Sequence, residues 1–78
     1  MLKINNVKEL GEMLRLRRRG LKLSQGDVAK DCDIVYQTVL SAERGREVSV
    51  RNFVKICDRL NLRIVLTPVE RRQDDFEY

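Results

Sequence analysis

Between Ser24 and Gly45 the chain fits two short helical segments, the first of barely two turns, with only about three residues between them. Ser24 is a plausible N-cap with Asp27 three residues on, and Val28, Ala29 and Cys32 give a short buried face that stops at Asp33. A second segment begins near Val35 and turns Val39 and Ala42 inward. Gly45 follows it as a C-cap residue with positive φ. Two short helices joined by so tight a turn make a helix-turn-helix. The second of them, VYQTVLSAERGR, opens with Tyr36, Gln37 and Thr38 and carries Ser41. A helix that only filled a core would not need that polar head.

The flanks complete a helical domain. Asn6 and Glu9 form an Asn-x-x-Glu capping box, and Val7, Leu10 and Leu14 recur at helical spacing, which predicts a helix over 7–19 ended by Gly20 and Leu21. Ser49 caps another, whose Val50, Phe53, Val54, Ile56, Cys57 and Leu60 make the densest apolar stripe in the chain. Met13 and Phe53 read as core. A chain of 78 residues is one domain, of a size whose core often needs a second chain for stability. A dimer is therefore expected.

Composition narrows the chemistry. There is no histidine, and Cys32 and Cys57 stand alone, so neither a zinc site nor a His-dependent catalytic group is expected. Both cysteines read as small buried apolar residues. No cofactor is implied, and no nucleophile and base fall in a catalytic spacing, so the chain reads as a non-enzyme. No charged-then-apolar leader occurs and no apolar run approaches the ~18 residues of a membrane span. The expected location is cytoplasmic and nucleoid-associated. Residues 70–78 hold two arginines and four acids, leaving 14 basic and eight acidic groups in residues 1–69. A basic body with an acidic tail suits a polyanionic partner.

An α-helix fits the major groove of B-DNA with its first turns against the base edges, so that end needs donors and acceptors that its own core does not use. Tyr36, Gln37 and Ser41 lie on the outward side, opposite Val39 and Ala42. The Gln37 amide suits bidentate contact with adenine, and Tyr36 and Ser41 suit phosphate or base-edge contacts. The run Arg17-Arg18-Arg19 spreads over most of a helix circumference and does not make one basic patch.

The segment LSQGDVAKDCDIVYQTVLSAERG resembles the DNA-binding core of the Cro/C1-type, or Xre-type, helix-turn-helix regulators through Leu23, Ser24, Gln25, Val28, Ala29, Ile34, Val39, Glu43 and Gly45. Over residues 7–68 the chain is similar to the HipB-like antitoxins. The resemblance implies an all-α, lambda-repressor-like bundle of four to five helices with a short C-terminal β-strand that pairs across a dimer. Residues 61–67, NLRIVLT, fit the strand through Leu62, Ile64 and Leu66 on one side, with Pro68 ending it. The resemblance gives Gln25 a phosphate contact and pairs Arg18 with Glu43. It points Arg19, Thr38, Arg44 and Arg46 at the phosphate backbone.

Three residues depart from the family pattern. Asp33 replaces the glycine of the turn, a position that Asp tolerates. Val35 replaces a Ser or Thr cap, so the recognition helix either frays or borrows Asp33. Lys22 stands where a glycine often ends the first helix. Residues 70–78, ERRQDDFEY, lack apolar periodicity and are expected to form a disordered tail after the domain of residues 1–69. Phe76 and Tyr78, beside Asp74, Asp75 and Glu77, give that tail the look of a short binding motif. Some HipB-like antitoxins resemble it in ending on an aromatic residue that contacts the kinase. The expected function is a sequence-specific repressor on a palindromic operator, acting as the antitoxin of a HipA-like kinase and autoregulating its operon. The alternatives are a free-standing or phage-type Xre repressor and, in a different class, a small RNA-binding or protein-adaptor module. An RNA-loop binder would show exposed aromatics for stacking, and Tyr36 alone qualifies within the domain.

Overall fold

Four helices follow one another in the computed structural model, which describes residues 3–70: α1 (Val7–Gly20), α2 (Gln25–Cys32), α3 (Tyr36–Glu43) and α4 (Val50–Arg59). Three of them start on a side-chain cap. The Asn6 carboxamide oxygen accepts from the Glu9 N–H at 2.8 Å, and Ser49 Oγ accepts from the Asn52 N–H at 3.1 Å. Ser24 and Asp27 make a complete capping box, at 2.9 Å and 2.8 Å. The Ser24 N–H bond, with the hydroxyl beside it, holds the Asp27 carboxyl below its usual range. At α1 the expected box is shifted, because the Glu9 carboxylate turns back to the N–H of Asn5 (3.0 Å), not that of Asn6. At α3 Val35 is the N-cap with no side-chain bond, and Asp33 does not substitute for it.

Asp33 is instead occupied in ending α2, and all four helices end in the same way. The N–H of Leu23, Ile34, Arg46 and Leu62 reaches back to the carbonyl of Arg18, Ala29, Ser41 and Cys57, at 2.9–3.2 Å. The residue before each, Lys22, Asp33, Gly45 and Asn61, is left-handed. These are Schellman endings, which satisfy carbonyls the helix itself leaves open. Such an ending usually carries an apolar residue that folds back onto the helix. Leu23, Ile34 and Leu62 do so, packing against the core. At the end of α3 the same position is the exposed Arg46.

The core is Leu14, Val28, Ala29, Cys32, Val39, Ala42, Ile56, Cys57 and Leu60, built where α3 packs against α1, α2 and α4. Two corrections concern its edge. Met13 and Phe53 are only partly buried against this core. Val50 and Val54, read as part of the α4 stripe, are exposed, Val50 by 79%. Periodicity finds the apolar face of a helix but not how much of it a neighbour covers.

Gly11 marks a close approach of α1 to the end of α3. A Cβ there would lie 2.5 Å from the Glu43 carbonyl oxygen and 2.7 Å from that of Ala42. No side chain fits, so α1 meets the end of α3 backbone to backbone. The consecutive arginines 17–19 of α1 part company as expected. Arg17 Nε donates to the Leu60 carbonyl at 2.9 Å, tying α1 to the end of α4, Arg18 points to α3, and Arg19 is exposed. Arg59 of α4 pairs with Asp31 of α2.

No strand occurs among the described residues. Leu62 is half-buried, Ile64 is exposed, and Leu66 is 90% exposed. Within the described residues the backbone of 63–70 makes no hydrogen bond. Phe76 and Tyr78 lie outside the described residues.

Candidate nucleic-acid interface

A chain of hydrogen bonds runs from α1 to the head of α3. Arg18 Nε donates to Glu43 Oε2 at 2.6 Å and Nη2 to Oε1 at 3.1 Å, a two-point contact with both side chains nearly buried. The third arm of the guanidinium, Nη1, donates to the Leu23 carbonyl at 2.8 Å. Glu43 Oε1 also accepts from Gln25 Nε2 at 3.1 Å, and Gln25 Oε1 accepts from the Tyr36 hydroxyl at 2.6 Å. The Arg18–Glu43 pair thus sits beneath the first residues of both α2 and α3. It gives these helices a fixed orientation more surely than it adds stability.

Outward from this chain the expected contact residues divide. Gln37 is exposed, and no hydrogen bond of its side chain occurs among the described residues. Thr38 and Ser41 are half-buried. Tyr36 is half-exposed, but its hydroxyl is engaged with Gln25, and Gln25 in turn is held from both ends of its amide. Arg19, Arg44 and Arg46 are exposed and make no ion pair among the described residues. Because Val35 offers no cap, the first N–H groups of α3 lack a side-chain partner. A helix start in that state favours an anion.

Several features were missed in the sequence. The Gln25–Tyr36 bond joins residues 11 apart across the turn, which no single-helix periodicity reveals. Gly11 did leave a signal, since a glycine inside a helical pattern usually has a packing reason. The cysteines carry no site chemistry. Cys57 and Cys32 are buried, which pushes both thiols up, and Cys32 Sγ contacts the Lys55 carbonyl at 3.4 Å. Among the described residues no group of metal-ligating side chains occurs, and no helix is long and apolar enough to cross a membrane.

Two short helices at a tight turn, the second opening on a polar exposed head and followed by the exposed Arg44 and Arg46, define a helix-turn-helix DNA-binding regulator. The helix-turn-helix family matches residues 14–66, and the chain belongs to that family, of the Xre type. No curated protein matches it significantly. Among solved structures, a HipA–HipB–O2–O3 complex contains a chain of 24% identity with a TM-score of 0.80, over 90% of this chain and 100% of that one. A HipB–O1–O2 complex gives 25% identity and a TM-score of 0.79, over 87% of this chain and 100% of that one. The restriction-modification controller protein C.AhdI from Aeromonas hydrophila is 34% identical with a TM-score of 0.65, over 73% of this chain and 86% of that one.

Proposed function

We propose that the protein is the antitoxin of a HipA-like kinase and that, as a homodimer, it binds a palindromic operator through α3 and represses its own operon. The observation that carries the DNA-binding part is the exposed, uncommitted Gln37 on α3, in a domain that also exposes Arg19, Arg44 and Arg46. Two features support the dimer. The backbone of 63–70, unbonded among the described residues, offers a strand edge, and the exposed Ile64 and Leu66, with Ile64 beside Val54, offer apolar surface. In a HipA-containing complex the HipB chain has this fold, which supports a kinase partner. The second reading, a regulator with no toxin partner, draws on the controller protein at 34% identity.

Reading and holding are separable in this arrangement. Gln37→Ala should cost about 1–3 kcal/mol on the operator and relax preference at one base pair per half-site. Arg44→Ala should weaken all duplexes alike and flatten the salt slope. Anisotropy titrations on operator and random duplexes measure both. An equal loss on the two duplexes from Gln37→Ala would mean that another face reads the bases.

The kinase partnership is tested through the tail. Deleting residues 70–78, with Phe76 and Tyr78, should leave operator affinity nearly unchanged and weaken a complex with a HipA-like kinase from the neighbouring gene about tenfold or more. Calorimetry with full-length and truncated protein reads the difference. No measurable complex with either form would favour the free-standing regulator.

A further inference from the structure

We propose that Tyr36 sets an amino-over-keto preference at one base pair of each half-site, because its only hydroxyl proton is committed inside the protein. The inference rests on the DNA-binding face proposed above and goes beyond it in fixing which base edge Tyr36 can meet.

The polarity follows donor by donor. Arg18 has only N–H groups to offer, and it meets both oxygens of Glu43, at 2.6 Å and 3.1 Å, so that carboxylate accepts. Glu43 Oε1 also lies 3.1 Å from the Gln25 amide. Turning that amide over would set its oxygen against the carboxylate oxygen with no proton between them, so the NH2 group must face Glu43. The amide oxygen of Gln25 therefore faces Tyr36, 2.6 Å from its hydroxyl. A tyrosine hydroxyl has one proton, and here it is donated inward. What that oxygen has left to offer, on a residue that is 48% exposed, is lone pairs.

Adenine N6 and cytosine N4 are donors in the major groove, whereas guanine O6 and thymine O4 at the matching places are acceptors. Tyr36 can accept from the first two, and against the last two it sets acceptor on acceptor. The same argument excludes donation to a phosphate, whose oxygens only accept, unless Gln25 gives up its partner. Gln25 keeps one amide N–H beyond the Glu43 bond, so the group free to donate at this corner is Gln25. Arg18 and Glu43 thus act on the DNA only by setting the direction of every proton above them.

The test uses the full chain and duplexes selected from a random pool by the wild-type protein. Each adenine of the half-site is replaced in turn by purine, and each cytosine by pyrimidin-2-one, which removes one amine at a time. At one position the wild-type protein should lose about three- to tenfold in affinity, and Tyr36→Phe should be indifferent to the amine there while still melting cooperatively as a folded domain. A preference for guanine or thymine that disappears in Tyr36→Phe would overturn the polarity. An amine effect that persists unchanged in Tyr36→Phe would assign the contact to another residue and overturn the inference. In both cases a base preference still lost in Gln37→Ala leaves the DNA-binding face standing. If neither variant alters any duplex, that face and the inference fall together.

Discussion

Arg18→Ala should destabilise the domain by about 3–5 kcal/mol, because it leaves the Glu43 carboxylate buried without its counter-charge. The two side chains are 11% and 5% exposed, so water cannot take over the role of the guanidinium. The loss also frees the Leu23 carbonyl, which Arg18 holds at 2.8 Å just where α1 turns into α2. Small domains have total stabilities of about 5–15 kcal/mol, so a chain of 78 residues should be brought close to unfolding. Urea denaturation of wild type and variant gives the difference. The double replacement Arg18→Met with Glu43→Leu removes both charges together, and it should recover most of the loss, since paired buried charges can often be replaced by apolar groups at little cost. A loss below about 1 kcal/mol in Arg18→Ala would place the pair among surface ion pairs in energetic terms.

What the sequence revealed and what it concealed follow from the range of the interactions. Helix starts were legible at Asn6, Ser24 and Ser49 because a cap bonds to an N–H three residues away. Helix ends were less so. Gly45 announced itself, whereas Lys22, Asp33 and Asn61 take the same left-handed conformation without glycine, and Asn61 drew no notice. The pairing of Arg18 with Glu43 came only from the family resemblance. Its extension to Gln25 and Tyr36 depends on how α2 and α3 cross, and is absent from any pattern along the chain. Val50 and Val54 fell on the apolar side of α4 as periodicity required, yet both stay exposed among the described residues. Patterning gives the direction a side chain takes, and packing alone decides whether something meets it there.

Operator affinity should fall about a thousandfold between 50 and 200 mM salt. Arg19, Arg44 and Arg46 are exposed and free of ion pairs among the described residues, so each can neutralise a phosphate without first giving up a partner inside the protein. Three per protomer make about six in the proposed dimer. Each displaced counterion contributes about 0.9 to the slope of log affinity against log salt, which gives a slope near −5. Arg46 has structural support beyond its charge, since it occupies the one helix-end position that is apolar at α1, α2 and α4. Its exposure there gives up a packing contact that the other three endings make. Arg18, although basic and adjacent to Arg19, adds nothing to the slope, because its charge is already neutralised by Glu43. Anisotropy titrations at five salt concentrations measure the slope. Arg19→Ala, Arg44→Ala and Arg46→Ala should each reduce it by about 2, one contact from each protomer. A wild-type slope shallower than about −2 would take these arginines off the phosphates and leave Gln37 to act without an electrostatic frame.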